Sequence, residues 1–194
     1  MAERLITERY QTDTDLIGMW LFLATEVLFF GALFFVYFAY QHVYPTPMAE
    51  GVRRTDLTLG TINTVLLLTS SLAISLGIVR PEWLARAFLA AGALGLAFLA
   101  VKGFEYAKDF SEGLFPGPGF VAVGPDGGPE RIFFIFYFTA TAIHALHMLI
   151  GLGLIVYALR GKGSPVVVAL YWSFVDIVWI CLYPLLYLVG RGGA

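Results

Sequence analysis

Five apolar runs, each long enough to cross a bilayer as a helix, constrain this chain more than any other feature. They lie at about residues 16–40, 57–79, 82–106, 131–159 and 165–189. A hydrocarbon core about 30 Å thick takes roughly 20 helical residues at 1.5 Å each. Of the 194 residues, 59% are hydrophobic and 13% charged; an ordinary soluble domain has about 45–50% and about 25%. A water-soluble fold of this length has too little interior to hide that much apolar surface. The pattern therefore predicts an all-α integral membrane bundle of five transmembrane helices, one domain over residues 1–194.

The punctuation between the runs fits this reading. Asp13, Thr14 and Asp15 offer capping side chains at the entry to the first run. In the following linker, Pro45 and Pro47 act as breakers, and the second run stops at Arg80-Pro81. Gly92 and Gly95 in the third run let a neighbouring helix come close. In residues 113–129, ten of 17 are Gly or Pro, which predicts a loop with a tight turn at Pro125-Asp126-Gly127-Gly128. The connection Arg160 to Ser164 is short enough to make the last two helices antiparallel neighbours. The polar, mixed-charge N-terminus does not read as a cleavable signal peptide, because the first apolar run is too long for one.

Several function classes drop out. Formal net charge is −2 and no basic stripe exists to neutralise phosphates, so nucleic acid is not the partner. The single cysteine, Cys181, excludes a disulfide framework, a CxxC zinc site and a CxxCH haem attachment. No nucleophile–base pair, phosphate loop or dinucleotide fingerprint occurs. For orientation, five spans put Arg4, Arg9, Arg80, Arg86, Arg160 and Lys162 toward one face and Arg53, Arg54, Lys102, Lys108, Arg131 and Arg191 toward the other. The balance is even. The shorter connections, where the positive-inside rule weighs most, lie on the first face and favour a cytoplasmic N-terminus.

Charges at bilayer depth are costly and mark a protein interior or a function. Glu26 lies about ten residues into the first helix, His144 and His147 midway along the fourth, and Asp176 about eleven residues into the fifth. All four sit at similar depth, so a mutual cluster is one expectation. Two histidines at i, i+3 share a helix face and with carboxylates nearby have metal-ligand chemistry. The competing reading is that each imidazole hydrogen-bonds across a helix interface; with three histidines in all and no HExxH pattern, it is preferred. Both buried histidines share one helix and His42 lies at a membrane edge, which disfavours haem ligation. Lys102 and Glu105 read as an interfacial ion pair, and Asn63, Thr64, Thr69, Ser70 and Ser71 as polar helix–helix glue. Phe29, Phe30, Phe34 and Phe35 read as packing or lipid-facing surface.

These residues sit inside recognisable phrases. Trp20-Leu-Phe-Leu-Ala-Thr-Glu26-Val-Leu-Phe-Phe30 resembles the W-x-F-x-x-S/T-E-V-x-F-F stretch of cytochrome c oxidase subunit III. Asn63-Thr-Val-Leu-Leu-Leu-Thr-Ser-Ser71 is similar to that family's N-T-x-x-L-L-x-S-S, and Lys102-Gly-Phe-Glu105-Tyr106 to its K-G-x-E-Y. The run from Phe138 through His144 and His147 to Gly151 resembles F-x-x-T-G-x-H-x-x-H-x-x-x-G. Tyr171-Trp172-Ser173-Phe174-Val175-Asp176-Ile-Val-Trp179 is close to Y-W-H-F-V-D-x-V-W. The five matches fall in family order, one per helix.

The resemblance implies a subunit of a respiratory haem–copper terminal oxidase, which reduces O₂ to water while pumping protons. Such a subunit carries no catalytic residue, haem or copper of its own. The redox centres reside in the partner subunits, and the donor is cytochrome c or quinol. It packs against catalytic subunit I and subunit II, binds phospholipid in a cleft, supports proton uptake, and sits in a bacterial plasma membrane with its N-terminus in the cytoplasm. Glu26, Asn63, Glu105, His144, His147 and Asp176 match the family's buried polar and lipid-cleft positions. The chain departs from the family in three respects. It has five helices where many members have seven, Ser173 stands where the motif has His, and Thr141-Ala142 replaces T-G. Two alternatives remain: an accessory subunit of a nitric oxide reductase system, and an independent proton or ion transporter using the buried charges as a relay.

Overall fold

The computed structural model describes the backbone of residues 2–122 and 127–191 and the side chains of residues 14–122 and 128–191. The elements in chain order are α1 (Ala2–Val43), α2 (Pro45–Arg54), α3 (Leu57–Val79), a 3₁₀ turn (Pro81–Trp83), α4 (Leu84–Ser111), α5 (Gly127–Leu159), α6 (Pro165–Tyr183) and a π-helical stretch (Pro184–Leu188). Among the described residues, five segments are long and apolar enough to cross a membrane: Thr14–Val43, Leu57–Val79, Pro81–Ser111, Gly128–Leu159 and Pro165–Leu188.

The helix ends follow local chemistry. Asp56 caps α3 by accepting from the backbone N–H groups of Thr58 (3.1 Å) and Leu59 (3.2 Å). α4 ends in a Schellman turn at Gly113, whose φ of 71° suits glycine. There Gly113 N–H reaches Phe110 O (3.2 Å) and Leu114 N–H reaches Asp109 O (2.9 Å). The same device at Gly161 ends α5 and keeps the link to α6 short.

Four boundaries differ from the sequence expectation. α1 starts well before Thr14 and Asp15, which lie inside it, because residues 2–15 contain neither Gly nor Pro to stop a helix. The side chain of Asp13 and the Pro125-Asp126 half of the expected turn lie outside the described residues. α4 runs to Ser111 and α5 opens at Gly127, with Pro129 in its first turn, where a missing N–H costs nothing. The linker carries α2, since Pro45 and Pro47 both fall in its first turn. α2 buries Met48, Gly51 and Val52, one stripe at helical spacing, and presents Arg53 and Arg54 at its C-terminal end.

α6 is the axis of the bundle: half of its spanning window is buried, against 17% for α1. It packs against α1, α3 and α5, while α3 and α4 form a tight antiparallel hairpin. α2 closes one end of the bundle. Arg54 donates to Glu130 on α5 (2.7 Å) and to Val121 O (2.6 Å). Arg191 donates to Val52 O (2.8 Å) and to the carbonyl of Thr55.

Candidate functional site

The buried polar residues separate into distinct groups rather than one cluster. The cause is helix rotation: three residues along a helix turn the direction by roughly 60° short of a full circle, enough to send His144 and His147 to different neighbours.

His147 faces α1. Its Nε2 lies 3.1 Å from Glu26 Oε2, and its Nδ1 lies 2.9 Å from the Ile143 carbonyl one turn earlier. A carbonyl oxygen only accepts, so Nδ1 carries a hydrogen. The Nε2–Oε2 bond then needs one proton, held either as imidazolium with carboxylate or as imidazole with carboxylic acid. The pair sits near the middle of the α1 span and is not sealed: side-chain exposure is 12% for His147 and 18% for Glu26. Phe30 packs edge-on against the imidazole at 5.5 Å. Elsewhere along the same two helices, α1 and α5 line an apolar groove of about 470 Å³ that neither Glu26 nor His147 lines. Phe29, Leu33 and Val36 line one wall, Ile132 and Phe136 the other, and Met48 of α2 closes the end.

His144 turns inward and is fully buried. It stacks near Trp179 (5.1 Å between ring centres) and meets the edge of Phe98 (5.4 Å). Neither ring nitrogen has a hydrogen-bond partner among the described residues, nor does either end of the Asn63 amide. The expectation that each imidazole bonds across an interface therefore holds for His147 and fails for His144, which is enclosed by aromatic rings. Asp176 lies where α6 meets α3, with Ser70 Oγ 3.5 Å from its Oδ2. The rest of the α3 stripe secures tryptophans: Trp172 Nε1 donates to Ser70 Oγ (2.9 Å) and Trp179 Nε1 to Thr64 Oγ1 (3.0 Å). Thr69 Oγ1 donates to Val65 O within its own helix (2.7 Å). Ser173 is half-buried on α6.

Lys102 and Glu105 require a correction. They are not an interfacial surface pair, for both are buried inside the bundle. Lys102 Nζ donates to Glu105 Oε2 (3.1 Å), Tyr137 Oη (2.9 Å) and Tyr187 Oη (2.8 Å), and Tyr187 Oη donates to Glu105 Oε1 (2.7 Å). Asp109 joins through Tyr137 at 3.0 Å. Asp109, Tyr137 and Tyr187 were missed by sequence reasoning. The signal for Asp109 was its place seven residues after Lys102 and four after Glu105, on the same face. The two tyrosines carried none. One turn outward, Lys108 Nζ meets Asp56 Oδ2 at 2.7 Å; that hydrogen bond, with the two backbone N–H groups at the cap, holds the Asp56 carboxyl below the usual carboxylate range despite partial burial.

No family model matches the chain. Among characterised proteins, it is 31% identical over 196 residues to the haem–copper oxidase subunit I+III of Aeropyrum pernix, a match that takes in 89% of this chain but 22% of that longer protein. It is 30% identical over 193 residues to cytochrome c oxidase subunit 3 of Synechocystis sp., covering 91% of this chain and 76% of the relative. It is also 30% identical over 200 residues to a probable quinol oxidase subunit 3 of Staphylococcus haemolyticus, covering 93% and 92%. Each of these matches takes in about nine tenths of this chain. The chain is a multi-pass membrane protein and belongs to the subunit III family of the haem–copper oxidases.

Proposed function

We propose that this chain is a non-catalytic accessory subunit of a respiratory haem–copper terminal oxidase in a bacterial plasma membrane. It packs against the catalytic subunit I and subunit II, which carry the haem and copper, and its N-terminus faces the cytoplasm. Its own work is to stabilise the catalytic subunit, hold phospholipid and sustain proton uptake during turnover.

One observation carries this reading. Glu26 and His147 meet at 3.1 Å at mid-membrane depth, partly open, on the same two helices that line the apolar groove. An acyl chain suits the groove, because its walls are apolar and offer a lipid tail the close contacts that lipid-facing helices otherwise make singly. The hydrogen bond between the two side chains offers a path for a proton between carboxylate and imidazole. The residues of this chain bind lipid and relay a proton, and the oxygen chemistry belongs to the partner subunits.

The test is Glu26→Gln in the assembled oxidase. The amide still fills the space and keeps a hydrogen bond to His147, so assembly is retained. The proton-exchanging group is gone, so the enzyme should inactivate after fewer turnovers. Equal steady-state rates and equal inactivation lifetimes in the two enzymes would refute the role given to the pair.

A further inference from the structure

The buried group around Lys102 contains more hydrogen-bond contacts than its hydrogens can serve if both carboxyls are ionised. Lys102 has three N–H donors and spends all three, on Glu105, Tyr137 and Tyr187. Tyr187 gives its one hydrogen to Glu105 Oε1. Tyr137 Oη has one hydrogen and faces two carboxyl oxygens, Glu105 Oε1 at 2.9 Å and Asp109 Oδ2 at 3.0 Å. One of those two contacts needs a hydrogen from the carboxyl side. Glu105 already receives Lys102 and Tyr187, so it is the ionised member. Charge counting agrees: one ammonium faces two carboxyls, all three residues at most 3% exposed, and an unbalanced charge in such a place is expensive.

We infer that this cluster is a proton-binding site, with the proton on Asp109 donated to Tyr137 Oη and exchanged with Glu105 across that hydroxyl. Tyr137 then accepts from Lys102 and Asp109 and donates to Glu105, which uses its full hydrogen-bonding capacity. The cluster becomes neutral overall. The groups that bear on Asp109 are Lys102, Glu105 and Glu112 on its own helix and Tyr137 from α5. Asp109 is the outermost buried member. Lys108, its neighbour in sequence, pairs with Asp56 at the bundle surface, so the Asp109 carboxyl is the member closest to exchange with water. The site is separate from the Glu26–His147 pair and does not depend on the role proposed for it.

Infrared difference spectroscopy on the assembled complex, wild type against Asp109→Asn, tests this directly. The wild type should show the carbonyl stretch of a protonated carboxylic acid at neutral pH, shifted in D₂O, and D109N should lack it. The amide of D109N stands in for a neutral acid, so the subunit should stay in the complex at a level within about twofold of wild type. E105Q removes the counter-charge of Lys102 and should lower retention by about tenfold or more. An unchanged spectrum at neutral pH overturns the inference. So does the reverse order of retention, since it would make Asp109 the required anion.

Discussion

Gly95→Ala should destabilise the bundle, although the same change in an open helix position stabilises. Gly95 faces the indole of Trp172: a Cβ at Gly95 would stand 2.7 Å from Trp172 Cη2, 3.0 Å from Cζ2 and 3.1 Å from Met148 Cε. The ring has no room to retreat. Its other edge is bounded by Gly151, where a Cβ would already be 3.1 Å from Cε3, and its Nε1 is tied to Ser70 at 2.9 Å. Replacing Gly by Ala in a helix interior gains up to about 1 kcal/mol, whereas forcing a methyl into a packed core costs about 1–3 kcal/mol. The clash should win. Gly103 on the same helix provides the control, since a Cβ there meets nothing within 4 Å, and Gly103→Ala should stabilise by up to about 1 kcal/mol. Trp172→Phe removes the atoms that clash, so Gly95→Ala should cost less in that background, with a coupling of about 0.5–3 kcal/mol. Denaturant or thermal unfolding of the four variants in detergent micelles measures this. Effects of the same sign at Gly95 and Gly103, or zero coupling with Trp172, would refute the reasoning.

Two further outcomes follow from the ion pairs. Lys102→Met leaves Glu105 uncompensated and should cost about 3–5 kcal/mol, while the double variant Lys102→Met with Glu105→Gln should recover much of it, because removing both charges removes the imbalance; strictly additive losses would contradict this. Asp56→Ala loses the α3 cap, worth about 1 kcal/mol. Because the folded Asp56 carboxyl sits below its ordinary value of 3.8, its contribution is whole above that pH and is lost as pH falls through the lower folded value. The melting-temperature gap between wild type and D56A should therefore narrow below about pH 4, and a gap that widened on acidification would contradict the assignment.

Much of the architecture was readable because bilayer thickness leaves few ways to thread a long apolar run. The five spans and the antiparallel α5–α6 pair rest on local chemistry, whereas the end of α4 at the Gly113 turn, beyond the expected end near residue 106, was not read from the sequence. α2 was hidden by its own prolines, which break helices in the middle but are at home in a first turn. The site was only half legible. Residue types and depths of Glu26, His144, His147 and Asp176 were plain, but their partners depended on helix rotation, which apolar periodicity hardly records in a chain that is apolar on every face. Lys102 and Glu105 looked like a surface pair because they lie three apart near a helix end; the tyrosines that bury them come from 35 and 85 residues away from Lys102.

The most direct measurement is to purify this chain by affinity tag from native membranes in mild detergent, then record a reduced-minus-oxidised spectrum and O₂ consumption. As an oxidase subunit it should bring down larger subunits in stoichiometric amount, with a haem signal and O₂ uptake. A haem complex that consumes nitric oxide in place of O₂, or a colourless 21.3 kDa protein on its own, would contradict the account.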